Sequence, residues 1–129
     1  MQRFYNLFKN NVEIIFTGKF SKQEWIELSK DYNVFMNTTH FDNRPVSVIE
    51  VMALGLPVVS TNVGGIPYLL EQNVNALLVE VDDVDGMTNQ IKLLFTEPNL
   101  TLNFSKKEKK SVESFDWEIV KKEWIELLV

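Results

Sequence analysis

Four short apolar runs, at residues 12–16, 33–37, 57–60 and 76–79, carry strand-forming side chains and do not alternate cleanly between polar and apolar. A strand that faces water on one side reads as such an alternation, so these runs fit strands covered on both faces. Helical patterns fill the gaps between them. Ser21 with Glu24 three residues later forms a capping box ahead of Trp25, Ile26 and Leu28. Pro45 near the start and Gly55 just past Leu54 bracket a helix over 46–54. Gly64, Gly65, Ile66 and Pro67 open a short helix to about Glu71, and Asp83 or Asp85 starts a longer one that ends near Glu97 and Pro98. Strands that alternate with helices require crossover connections, and hence a parallel α/β sheet. Beyond Pro98 the strand signal stops. Residues 101–112 read as helical, and Asp116 caps a last helix on which Trp117, Val120, Trp124 and Leu128 share one face.

Composition bounds what such a sheet can serve. With 129 residues, 45% hydrophobic and 24% charged, the chain is of single-domain size and too apolar for disorder. Its net charge of −5 disfavours nucleic acid as a partner, since phosphate binding needs a basic stripe. Lys106, Lys107, Lys109 and Lys110, interrupted by Glu108, read as a solvated helix face. No cysteine is present, and the single His40 leaves no multi-histidine metal site. No apolar run approaches the ~18 residues that span a bilayer, and the first residues lack the apolar core of a signal peptide. A soluble, cytoplasmic protein is expected.

In an open parallel sheet, ligands bind beyond the carboxyl ends of the strands. That rule selects Thr17 to Lys19, the loop from Thr38 to Pro45, and the loop from Thr61 to Pro67. The middle loop runs into the helix over 46–54, which is apolar almost all round apart from Ser47 and Glu50. A helix so apolar is expected to be buried, and a carboxylate within it needs partners. Two readings of Glu50 stand side by side. It pairs with a buried Lys or Arg, or it accepts hydrogen bonds from vicinal hydroxyls such as those of a ribose, with a diphosphate seated on the free amides at the helix start. Asp42 taken alone is a capping residue. His40, two residues before Asp42, is either a solvent-facing loop residue or a general base. Lys19 and Arg44 are either surface residues or phosphate ligands. Gly64 and Gly65 either approach a ligand closely or supply the turn before a helix.

The stretch from Ile49 through Glu50, Met52, Gly55, Pro57 and Val59 to Thr61 resembles glycosyltransferase family 4, the retaining GT-B group. There a loop shaped like Pro-Ser-x-x-Glu-Gly-Phe-Gly leads into Leu-Glu-Ala-Met-Ala-x-Gly-x-Pro-Val-Val, which gives a Glu-x7-Glu motif. Asp42 and Glu50 have the same spacing. The Gly64, Gly65, Ile66, Pro67 turn, the run from Asn75 to Val79, and the run from Val12 to Gly18 are also similar to the family pattern. The resemblance covers about residues 10–95.

It implies a Rossmann-like parallel sheet with flanking helices, the incomplete C-terminal domain of a GT-B fold spanning 1–129, with C-terminal helices over 101–129. It implies a nucleotide-diphosphate sugar as donor substrate, retention of configuration, no bound cofactor and no metal, in cell-surface polysaccharide or glycoconjugate synthesis. By the same resemblance Glu50 holds the ribose hydroxyls and Asp42 contacts the donor sugar. Asn43, Arg44, Pro45, Val46 and Ser47 lie along the diphosphate and sugar, and Gly18 and Lys19 lie by the base. The sequence departs from the pattern at Asp42, one methylene shorter than glutamate, and at Asn43, Arg44 and Pro45, which stand for Gly-Phe-Gly. Tyr68 and Asn75 stand where many members have Glu and Gly. The acceptor-binding domain and two central strands with their phosphate-neutralising cations are expected to be missing. A chain inactive on its own, whether a degenerate remnant or a split-gene fragment, is therefore the alternative expectation. Peripheral association with a membrane belongs to the complete enzyme. A sugar-nucleotide epimerase shares the architecture, but the run from Met52 to Val59 speaks against it. A phospho-receiver module would need an aspartate pair after the first strand, and none is there.

Overall fold

A computed structural model describes residues 13–129. In chain order the elements are α1 (Lys22–Ser29), β1 (Phe35–Asn37), α2 (Val46–Leu54), β2 (Val58–Thr61), a 3-10 turn (Ile66–Tyr68), β3 (Leu77–Val79), α3 (Val84–Thr96), α4 (Pro98–Val112), a second 3-10 turn (Glu113–Phe115) and α5 (Trp117–Leu128). The three strands form one parallel sheet in the order β1-β2-β3. Phe35 lies opposite Val58, and Val59 opposite Leu77. Strands joined through helices in this way make the parallel α/β class that the alternation predicts.

Successive residues of β2 show why its run lacks polar alternation. Val58 joins a cluster with Val48, Val51, Met52, Leu56, Ile66 and Leu70. Its neighbour Val59 faces the opposite side, with Leu77, Met87, Leu94 and Phe104. Side chains alternate across a strand, so a strand covered on both faces must be apolar at consecutive positions. Each fully buried aliphatic residue here contributes about 1.5–3 kcal/mol. β1 departs from the expectation, because Met36 is 53% exposed. Its pairing to β2 uses one edge of the strand, and no described residue pairs along the other.

The helix starts follow their capping chemistry. Ser21 and Glu24 form the reciprocal capping box of α1, with both hydrogen bonds present. Of the two aspartates offered for α3, Asp83 is the cap, and its Oδ1 accepts from the Gly86 N–H at 2.8 Å. Gly55 closes α2 at φ +73°, a left-handed conformation that glycine adopts at no steric cost.

Several expectations need correction. Residues 13–16 form no strand, and Val12 lies outside the described residues; strand-forming side chains alone do not make a strand without an edge to pair with. The helix expected from Ile66 to Glu71 is only a three-residue 3-10 turn. Pro98, read as a stop, sits in the first turn of α4, where its missing N–H costs nothing. Finally, α2 is not buried all round. Val48, Val51 and Met52 are enclosed, whereas Val46, Ser47 and Ala53 are exposed and Ile49 and Glu50 are half-buried. The helix covers one face of the sheet and is itself covered on one side by α4.

Candidate functional site

The loop from Thr38 to Pro45 leaves the carboxyl end of β1, and the loop from Asn62 to Gly65 leaves that of β2. They are tied together at several points. Thr61 Oγ1 donates to the Thr39 carbonyl at 2.5 Å, and the Gly65 N–H donates to the Asp42 carbonyl at 2.6 Å. Just below, Asn37 Nδ2 donates to Ser60 Oγ at 3.1 Å. His40 Nε2 meets Asp82 Oδ1 at 2.9 Å and so links the first loop to the turn after β3. Both side chains of that pair are well exposed. An exposed pair of this kind is worth about 0–1 kcal/mol.

Asp42 Oδ1 accepts from the Arg44 N–H at 3.0 Å, a local turn that leaves Oδ2 without a hydrogen-bond partner among the described residues. Arg44 O in turn accepts from Val46 N–H, and Pro45 O from Ile49 N–H. α2 therefore begins at Pro45 with no side-chain cap. The main-chain N–H groups of Ser47 and Val48 have no hydrogen-bond partner among the described residues. Amides left free at a helix start carry the positive end of its dipole.

Glu50 stands one turn further on, on the same face as Ser47. It is half-buried and makes no hydrogen bond or ion pair among the described residues. The expectation of an enclosed carboxylate does not hold, because the helix surface around Glu50 is only partly covered, and no Lys or Arg among the described residues pairs with it. The structure thus brings Asp42, Asn43, Arg44, Pro45, Val46, Ser47 and Glu50 to one end of the sheet. It does not tie Gly18 or Lys19 to them by any hydrogen bond, and both are exposed. Gly64 and Gly65 lie against the Asp42 and Asn43 main chain. No group of three or more acidic or histidine side chains placed to hold a metal occurs among the described residues. A cleft of about 660 Å³ opens at the opposite end of the strands, between Tyr32, Leu56, Phe95 and Leu102, away from this segment.

The buried carboxylate lies elsewhere. Glu108 is 0% exposed on α4. Its Oε1 accepts from the Val58 N–H at 3.1 Å, and Oε2 has no partner among the described residues. Burial pushes its carboxyl up to about 8, opposed by the Val58 hydrogen bond. The four flanking lysines are exposed as expected, so the run hides one inward-facing acid. The signal for it was the i, i+4 stripe of Leu100, Phe104, Glu108 and Val112, which puts Glu108 on the packed side of the helix.

The fold is a parallel α/β domain, with the loops that carry the candidate site residues at the strands' carboxyl edge. The family model for glycosyl transferases group 1 matches residues 4–111, and the chain belongs to that family. It is 31% identical over 93 residues to an uncharacterized glycosyltransferase of Haemophilus influenzae, covering 71% of this chain and 26% of that protein. Among solved structures, sucrose-phosphate synthase from Thermosynechococcus elongatus superposes with a TM-score of 0.86 at 21% identity, covering 98% of this chain and 32% of that one. The Anabaena protein HepE in complex with UDP gives a TM-score of 0.74 at 22% identity, covering 79% of this chain and 29% of that one. The chain thus spans 26% of the length of the first of its curated relatives and 8% of another, a probable sucrose-phosphate synthase of Craterostigma plantagineum. No helix among the described residues is long and apolar enough to cross a membrane.

Proposed function

We propose that this chain is the donor-binding part of a glycosyltransferase that takes its sugar from a nucleoside diphosphate and transfers it with retention of configuration. The observation that carries the reading is the half-exposed Glu50 carboxylate, unpaired among the described residues, on the same helix face as Ser47 and one turn from the Ser47 and Val48 amides that no described residue satisfies. In this reading the amides take the diphosphate, whose charge suits the helix start. Glu50 then accepts hydrogen bonds from the ribose hydroxyls, each worth about 1.5–3 kcal/mol because the acceptor is charged. The free Oδ2 of Asp42 reaches a hydroxyl of the donor sugar. Asn43, Arg44, Pro45 and Val46 line the path between them, with Arg44 supplying positive charge and Gly18 and Lys19 lying toward the base.

Chemically, such a site holds the leaving diphosphate in place as the glycosidic bond breaks. Amides already aimed at the developing charge need no reorganisation at that moment. HepE, solved with UDP and with UDP-glucose, supports a uridine nucleotide as the first ligand to try. The acceptor side would come from polypeptide beyond these residues, so the chain alone is proposed to bind donor without completing transfer.

The test is a titration of the 15N-labelled chain with UDP to millimolar concentration. Shifts at Ser47, Val48 and Glu50 that Glu50→Ala removes are expected. A spectrum indifferent to UDP, UDP-glucose and other nucleoside diphosphates would overturn the reading.

A further inference from the structure

We propose that Gly64 and Gly65 are positioning residues for the donor site: they seat the Asp42 main chain, and through it set where the Asp42 carboxylate and the start of α2 stand. The proposal rests on the donor-binding reading for its functional consequence, but its structural part stands without it.

Three independent contacts carry it. A methyl group added to Gly64 would collide with the Asp42 carbonyl oxygen, and would lie 3.0 Å from the Asp42 carbonyl carbon and 3.2 Å from its nitrogen. A methyl group added to Gly65 would collide with the Asn43 carbonyl oxygen and lie 2.9 Å from the Asn43 carbonyl carbon. The Gly65 N–H hydrogen-bonds to the same Asp42 carbonyl at 2.6 Å. Gly64 also has φ +53°, where any other L-residue is strained. The two turns therefore touch main chain to main chain, at a distance that a single Cβ on either glycine would prevent.

The consequence follows from what is attached to that stretch of backbone. The Asp42 carboxylate is held from its other side by the Arg44 amide at 3.0 Å. Two residues on, Arg44 O accepts from the Val46 N–H at 2.8 Å, which sets the first turn of α2. Asp42 is thus pinned between Gly65 behind it and the helix start ahead of it. Pushing its carbonyl off the glycines must displace both the carboxylate and the free amides. Of the two roles open to these glycines, approach to a ligand or formation of a turn, the structure shows close approach to another loop of the chain itself.

The experiment compares Gly65→Ala with the unaltered 129-residue chain, first without ligand and then with UDP and UDP-glucose. In the 15N spectrum without ligand, the amides of Asn43, Arg44, Val46 and Ser47 are expected to move. Those of Val59 and Leu77 in the strands stay. In titrations, affinity for UDP-glucose falls on the order of tenfold or more, and further than affinity for UDP, because the displaced Asp42 carboxylate faces the sugar. That additional loss disappears when Gly65→Ala is made in an Asp42→Ala background, which a general weakening of the fold would not produce. If Gly65→Ala fails to fold, Thr61→Val removes the neighbouring tie to the Thr39 carbonyl and is expected to move the same amides by less. Unmoved amides from Asn43 to Ser47 in a folded variant overturn the proposal whatever the ligand result. Equal losses for both ligands, additive with Asp42→Ala, overturn the link to the carboxylate. If the unaltered chain binds neither ligand while the amides move in the variant, the donor-binding reading fails and the positioning role stands.

Discussion

Glu50 and Glu108 occupy helices that pack against each other, α2 and α4, yet their surroundings differ completely. Glu50 is flanked by Val48, Ile49, Val51 and Met52 and remains half-exposed. Glu108 is flanked by four lysines and is 0% exposed, with one hydrogen bond to the first strand residue of β2 and one oxygen unpartnered among the described residues. Neighbours along the chain did not decide either outcome. A helix presents each side chain by angle, so Glu108 shares its direction with Phe104 four residues earlier and not with Lys107 or Lys109. Glu50 shares its direction with Ser47 and Val46, at the rim left uncovered next to the strand ends. Burial belongs to the face, and the face is set by what packs on it.

The contrast is sharpest in its pH dependence. The Glu108 carboxyl is raised from 4.5 to about 8 in the folded chain. Between those values the folded state keeps a proton that the unfolded chain has lost. The stability this contributes is complete below about pH 4.5 and disappears as pH rises through 8. Denaturant unfolding from pH 5 to 9 should therefore show the chain losing several kcal/mol from this group. Glu108→Gln, which keeps the shape without the titration, should flatten that loss and be the more stable form at pH 9. An equally steep profile in the variant would show that Glu108 is not the group responsible.

At pH 7 the next effect is that of truncation. Glu108→Ala leaves the Val58 N–H unpaired in the interior and should cost about 1–3 kcal/mol. Glu50→Ala removes no hydrogen bond or ion pair found among the described residues and should change stability by no more than about 0.5 kcal/mol. Equal costs in thermal unfolding would erase the distinction between the two sites. Gly55, which ends α2 beneath α4, offers a third probe. A methyl group there would meet Lys109 and sit 2.8 Å from Ser105 Oγ, at a left-handed φ. Gly55→Ala should cost about 1–2 kcal/mol, from backbone strain plus the displaced lysine stem. Smallest of all, Lys106→Gln and Lys107→Gln should each change the unfolding midpoint within the scatter of surface substitutions, about 0.5 kcal/mol. A larger loss would mean that the exposed lysines support Glu108 directly.

Much of the fold was legible because its signals are local. The capping box at Ser21, the Pro45 and Gly55 brackets around α2, and the doubly apolar runs of β2 and β3 depend on residues close in sequence. The 12–16 run shows the limit of that reading. Its side chains favour a strand, but a strand exists only where another offers an edge, and residues 13–16 find none. The turn at Ile66 shows another limit. Ile66 and Leu70 are buried as a helix face would be, yet the chain needs only one 3-10 turn to bring both inward. At the candidate site, the convergence of Asp42, Ser47 and Glu50 could be read from spacing and from the rule of strand ends. The part Gly64 and Gly65 play could not. It depends on two loops meeting across the single crossover between β1 and β2, and no pattern along the chain records which carbonyl a glycine will face.

The glycine turn meets Asp42 and Asn43 at their main chain, and the side chains of Asn43 and Arg44 are exposed, so that seat does not depend on the identity of residues 43 and 44. A randomised library at these two positions should therefore retain folded members at high frequency, whereas one at 64 and 65 should not. Under the proposed donor-binding role, the first pair marks where diversity can be introduced to redirect the protein toward a different donor.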